Sequence, residues 1–234
     1  MKNWNKILIF AIIIVIVGLG YQTFKLVQYK NAEKQNAQEY EFQVLSNTNF
    51  SDVDPNMPEE ILNMQKEKYN TAMEKLVNDP FDFEANINKA SVLYALNEFE
   101  KAILIYKKMG EIKPKNFLSF KGLGDCYAKL KNYPEAEKSY LKTLENNPHE
   151  LNTCLALAEI YRYHLKDDQD KILKFYENSI KNLGDNRFNL IQTYAEQLEE
   201  WGYFNKALEQ WEIVLEEFPD NEPIKSKVKK LKSS

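Results

Sequence analysis

The chain has 234 residues, 28% of them charged, with a net charge of -4 and a pI near 5.5, a balance that argues against a general nucleic-acid binder. His149 and His164 stand at no metal or triad spacing with a neighbouring Cys or carboxylate, and the 7 glycines form no phosphate-cradling loop. No cofactor and no metal are therefore expected, and the chain reads as a non-enzyme.

Residues 1–6 are a short flank carrying Lys2 and Lys6, followed by the apolar stretch Ile7–Tyr21. The uncharged residues between Lys6 and Lys25 would rise about 27 Å as a helix, close to the roughly 30 Å of a bilayer's hydrocarbon. Residues 7–27 are accordingly expected to be a transmembrane anchor, with Trp4 and Tyr21 suited to the interfaces. Gly18 and Gly20, small residues two apart at the end of the run, support the alternative of a cleaved signal peptide. Either reading places the rest outside the cytoplasm, in a periplasm or at a cell surface. Residues 28–57 turn polar and read as a stem.

From Pro58 the pattern becomes helical. Residues 58–82 are expected to form a capping helix or half repeat, with Tyr69, Ala72 and Leu76 inward. Pro80, Pro114 and Pro148 then recur at a 34-residue interval, and Pro219 follows at two further periods plus three. A proline at a fixed interval after an apolar run ends a helix and disfavours helical geometry in the residue before it. Ala102 and Ala136, Tyr106 and Tyr140, Phe99 and Tyr133 keep the same interval, so the chain is a stack of supersecondary units. The clearest unit, 117–150, carries Phe120, Leu123, Gly124 and Tyr127, then Ala136, Tyr140, Leu144 and Pro148. Its neighbours are 83–116 (Ala90, Ala102, Tyr106, with Lys89 where an apolar residue is usual), 151–187 (Leu157, Ala158, Tyr161, Ile172, Tyr176, with a longer polar turn) and 188–222 (Tyr194, Ala195, Ala207, Trp211). Residues 223–234 read as a capping helix, with Ile224, Val228 and Leu231 inward and five lysines outward. The lysine cluster is read as solvated surface rather than a nucleic-acid site.

In residue type and order these units resemble the tetratricopeptide repeat. The resemblance implies an all-α helix-turn-helix solenoid of about four repeats plus capping helices, here set behind the single N-terminal transmembrane helix. It also implies a concave groove lined by the first helix of each unit, suited to a protein or peptide ligand. The matching positions are Ile87, Ser91 and Tyr94; Lys121, Asp125 and Lys129; Leu155, Glu159, Arg162 and Tyr163; Gln192, Glu196, Glu199 and Glu200. Such a groove would grade from apolar to acidic and suit a segment with apolar anchors and basic residues. The Lys and Asn clamp by which some members hold chaperone tails is missing, since Ile87 and Ser91 stand at those positions.

The expected function is therefore a membrane-anchored scaffold or adaptor that binds a protein or peptide at the membrane surface, in bacterial envelope assembly or protein translocation. The alternatives are a self-associating structural membrane protein, acting as a homo-oligomer, and an envelope glycan enzyme built on a buried carboxylate pair in the groove. Cys126 and Cys154 are read as buried thiols, with a disulfide as the alternative. Ala136 is placed at a close helix crossing, so Ala136→Arg is expected to destabilise the repeats by on the order of 3 kcal/mol or more through overpacking and a buried charge. Urea unfolding of the variant against the parent measures it.

Overall fold

The first three units each open on a side-chain cap. In the computed structural model, which describes residues 28, 48, 50, 53–166 and 168–233, Glu59–Asn78 forms α1, Phe83–Ala95 α2, Phe99–Ile112 α3, Phe117–Lys129 α4 and Tyr133–Asn146 α5. Leu151–Tyr163 forms α6, Gln169–Leu183 α7, Phe188–Glu200 α8, Phe204–Glu217 α9 and Glu222–Lys232 α10. Asp82 accepts from the Ala85 amide at 2.6 Å, Asn116 from Leu118 at 2.9 Å and Glu150 from Thr153 at 2.5 Å. These caps stand two residues after Pro80, Pro114 and Pro148 and keep the repeat interval. The proline stops one helix while the cap satisfies an orphan amide of the next. Asn221 repeats the device after Pro219, accepting from Ile224 at 3.2 Å.

Within a unit the turn is equally regular. The amides of Glu98, Asn132 and Tyr203 each return to a carbonyl five residues back, on Leu93, Tyr127 and Leu198, at 2.8 Å. The turn passes through left-handed backbone at Asn97 (φ 63), Lys131 (φ 59) and Gly202 (φ 78). This is the αL closure of a helix, and at Lys131 it is held without the glycine that would accept it most easily. The third unit keeps the closing bond, Leu165 to Ile160 at 2.9 Å, and then spends a longer polar turn before Asp168 caps α7.

The helices stack as antiparallel pairs, each packing on the next: α1 on α2, α2 on α3, and so on to α9 on α10, while α2 also meets α4 and α6 meets α8. A hydrophobic core runs without a break from Ala136 in α5 to Val228 in α10. Two tyrosines set the tightest spacing. A Cβ built on Gly122 would lie 2.3 Å from the Tyr106 ring, and one on Gly124 would lie 2.4 Å from the Tyr140 ring. The bare backbone of α4 is therefore what lets α3 and α5 close on it. Cys126 and Cys154 are free and fully buried, and burial pushes their thiols up to about 12 and about 11. They are the inert packing thiols of the first reading, not a bridge.

The all-α helix-turn-helix solenoid stands as expected, but its membrane component needs correction. Among the described residues no helix is long and apolar enough to cross a membrane. The expected anchor, 7–27, rested on local hydropathy alone and lies outside the described residues, as does most of the expected stem. A single-pass anchor, repeats placed in a periplasm or at a cell surface, and a membrane partner accordingly form no part of the architecture described here. Just before α1 the chain is more than a spacer: Phe50, Val53 and Met57 pack against Tyr69, Val92 and Leu96, with the Phe50 and Tyr69 rings edge to face at 5.4 Å.

Lys89, the residue that sits poorly with an apolar helix face, is in α2 and only 4% exposed. Its ammonium lies 6.0 Å from the Tyr69 ring, and desolvation lowers its pKa to about 8. The unfolded chain holds this proton up to about 10.5 and the folded chain only to about 8, so stability contributed by this site rises as pH climbs through that window. Lys89→Met is expected to raise stability at neutral pH by about 1 kcal/mol or more. Its gain over the parent should shrink between pH 8 and pH 10.5. Comparing variant with parent in parallel urea titrations cancels the opposing titration of the two thiols.

Candidate functional site

The first helices of the four units, α2, α4, α6 and α8, carry the expected groove residues. On α2, Ile87, Ser91 and Tyr94 are half-buried. The Ser91 hydroxyl donates to the Asn88 carbonyl at 2.8 Å, and the Tyr94 ring meets Phe99 edge to face at 5.5 Å. On α4, Lys121 and Asp125 face each other one turn apart at 2.8 Å, and Tyr140 of α5 donates its hydroxyl to the other Asp125 oxygen at 2.9 Å. Asp125 is thereby fixed rather than swinging in solvent. Its charge also reaches Tyr94, whose phenol is pushed up first by burial and then by Asp125. Lys121, Asp125 and Tyr140 thus form one bonded polar cluster across α4 and α5, with Tyr94 of α2 packed on Phe99 beside it. Lys129 is exposed in the last turn of α4.

A second cluster joins α6 to α8. Arg162 donates to Glu196 at 2.5 Å and, through two nitrogens, to Glu200 at 2.9 Å and 2.6 Å. The guanidinium also lies 5.3 Å from the ring of Tyr163, which is 54% exposed. The planar fork suits this double grip better than an ammonium would. Glu199 is turned elsewhere, accepting from the Trp211 indole at 2.6 Å and pairing with Lys227 at 3.2 Å. Leu155 packs against the core, Gln192 is half-buried and Glu159 is exposed. No described contact ties Ile87, Lys129, Glu159 or Gln192 to the two clusters.

These pairings change the electrostatics expected of the surface. Glu196, Glu199 and Glu200 are each matched by a cation of the chain, so the far end is ion-paired rather than simply acidic, and Glu159 is the carboxylate left facing water. The partners missed in sequence are Tyr140, Trp211 and Lys227. Tyr140 and Trp211 occupy repeat positions read as packing residues, with nothing to show that their polar atoms reach the groove. Lys227 folds back so that its ammonium sits 4.4 Å from the Trp211 ring, where an outward-facing cap lysine was expected.

The glycan-enzyme alternative is corrected here. It required a buried carboxylate pair in the groove, whereas Glu196, Glu199 and Glu200 are partly exposed and engaged by Arg162, Lys227 and Trp211. Among the described residues no group of three or more His, Cys, Asp or Glu could hold a metal ion. His164, the one histidine near an acidic run, instead stacks on Tyr133 at 3.7 Å.

No family model matches the chain. It is similar to BBSome complex member BBS4 of Bos taurus, with 28% identity over 120 residues, 51% of this chain, and it spans 22% of that relative's length. Among solved structures it is similar to YrrB, a TPR protein with an unusual peptide-binding site, at TM-score 0.54 and 21% identity over 69% of this chain and 82% of that one. It is also similar to MamA, at TM-score 0.54 and 17% identity over 63% of this chain and 85% of that one. At these identities the likeness establishes the fold: a tetratricopeptide-type solenoid.

The Arg162 grip ties α6 to α8 through groups that are only partly exposed, 17% for Arg162 against 39% and 45% for Glu196 and Glu200. Arg162→Gln is expected to reduce stability by about 1 kcal/mol, the scale of a partly solvated pair. A urea melt at low salt should show the loss, and added salt should narrow the gap to the parent.

Proposed function

We propose that this chain is a non-enzymatic scaffold that binds a protein or peptide segment along the face formed by its first helices. The observation that carries the reading is the pair of pre-set polar clusters, Lys121 and Asp125 held by Tyr140, and Arg162 with Glu196 and Glu200. They stand on successive first helices of one solenoid. Clusters whose side chains are already held by neighbours present hydrogen-bonding groups at little further ordering cost. Ile87, Leu155 and Tyr163 add apolar surface for anchoring, while Ser91, Lys129, Glu159, Gln192 and Glu199 complete the proposed lining. The similar solved structure YrrB, a TPR protein with a peptide-binding site, supports a peptide as the class of ligand.

The expected ligand is a segment with apolar or aromatic anchors and both signs of charge, because the surface offers paired rather than single-sign charges. Membrane anchoring, a self-associating structural membrane protein and glycan chemistry are not part of this reading.

A photoreactive residue placed at Tyr163, with Val77, 80% exposed on α1, as the control position, tests it. A discrete protein adduct from Tyr163 that is absent from Val77, and that is lost when Asp125→Lys is added, is the expected outcome. Equal adducts from both positions, or none from Tyr163, would overturn the assignment.

A further inference from the structure

A second surface lies on the other side of α4. Lys121 and Asp125 share one face of that helix; Phe120, Leu123 and Tyr127 lie about half a turn away around the axis. Tyr106 seated on Gly122 and Tyr140 seated on Gly124 hold α3 and α5 against the flanks of α4. Between them the half-buried Phe120 and Tyr127 reach the surface, with Leu123, 7% exposed, beneath. A cavity of about 610 Å³ opens there, with Phe120, Leu123 and Tyr127 beneath it, Lys107 from α3 at one wall and Lys138 and Leu141 from α5 at the other. Leu141 is 40% exposed, as is Leu104, one turn before Lys107 on α3. The volume is that of a ligand pocket, within the range of roughly 300–1,000 Å³.

We propose that this groove seats one amphipathic helix of a partner protein, carrying a stripe of large apolar residues with carboxylates on either side. Three observations argue for that occupant. First, the walls are the sides of helices whose backbone groups are already bonded within α3, α4 and α5. An extended segment would find no strand edge to pair with and would bring unpaired amides and carbonyls onto an apolar floor, whereas a helix arrives with its own bonds made. Second, the stripe from Phe120 to Tyr127 is about two turns long, roughly 10 Å, which matches anchors at i, i+3 or i+4, and i+7.

The third argument is charge. Glu137 accepts from the Tyr161 hydroxyl at 2.5 Å and pairs with Lys171, so that carboxylate is committed to α6 and α7. Glu145 is held by Lys142 at 2.8 Å. The cations are less engaged: Lys107 lies 5.8 Å from the Tyr127 ring, and Lys138, its side chain 79% exposed, stands 3.9 Å from Glu135. Glu135, the third carboxylate of the lining, holds Lys138 only in a loose, exposed pair, so Lys107 on one wall and, by exchange of that pair, Lys138 on the other can meet a carboxylate on a flank of an incoming helix. This site is independent of the first-helix surface proposed above, because the two occupy opposite faces of α4.

The test uses the full chain and a fluorescent synthetic helix of about 14 residues, roughly four turns, with leucines at i, i+3 and i+7 and glutamates flanking them. One control peptide scatters the same leucines around the helix, and another replaces the flanking glutamates by lysines. Anisotropy titrations are expected to show saturable binding of the striped acidic peptide and weaker binding of both controls. Leu141→Glu should weaken it by about tenfold or more; Lys107→Glu should weaken it and remove most of its salt dependence on that wall. Tyr163→Glu, on the opposite surface, should leave it unchanged. Because Leu141 is partly exposed, its variant should keep the parent's helical circular dichroism, so lost binding is not lost fold. The proposal is overturned by equal binding of the scattered peptide, by indifference to Leu141→Glu, by loss on Tyr163→Glu, or by sedimentation showing a second copy of the chain already seated there and released by Leu141→Glu.

Discussion

The structure depends on two rings resting on bare backbone. Tyr106 on Gly122 and Tyr140 on Gly124 approach α4 so closely that a single added carbon would overlap them, and buried rings are incompressible packing elements. Because the two contacts lie on different flanks of α4, they decide where α3 and α5 run. What they leave uncovered follows as a consequence. One open face of α4 carries Lys121 and Asp125, the other the half-buried Phe120 and Tyr127. The burial of Ala102 and Ala136, both without exposed surface, belongs to the same constraint, since a larger side chain at either would push apart helices that the glycines draw together.

Further along the chain the same architecture is held by different means. The turn before α7 is longer, and a short 3₁₀ turn, Gly184–Arg187, leads into α8. Tyr176 and Tyr194 stack at 4.6 Å between α7 and α8, and Arg162 grips α8 from α6. At the end, Trp211, Glu199 and Lys227 tie α8, α9 and α10 through one indole. Such partly solvated ion pairs contribute modestly to stability. Their larger effect here is on the surface, because they commit carboxylates that would otherwise define an acidic end.

Much of this was legible before any coordinates. The interval of the prolines, the alanines and the paired tyrosines marked the units, because a helix pair that must stack on identical neighbours repeats its small and large residues at one spacing. The caps at Asp82, Asn116 and Glu150, two residues past each proline, came to light only with the structure, in the bonds they accept from first-turn amides. Lys89, standing where an apolar residue is usual, does not interrupt α2, since its long apolar stem packs while the ammonium reaches toward Tyr69. The membrane expectation came from a local run of apolar residues, a signal independent of the repeats, and it has no counterpart among the described helices. The pairing of Arg162 with Glu196 and Glu200, 34 and 38 residues away, has no local signature at all.

The sequence by itself determined that the chain stacks helical pairs, where each helix starts and stops, and which small residues stand at the crossings. Those properties are set by neighbours within one or two turns, or by a repeated spacing, and both are written in residue order. Only the tertiary structure decided which carboxylates remain free, which lysines face water, and that α4 presents two opposed surfaces. Those properties depend on side chains brought together from different units, and the side of α4 left open is settled by where Tyr106 and Tyr140 come to rest.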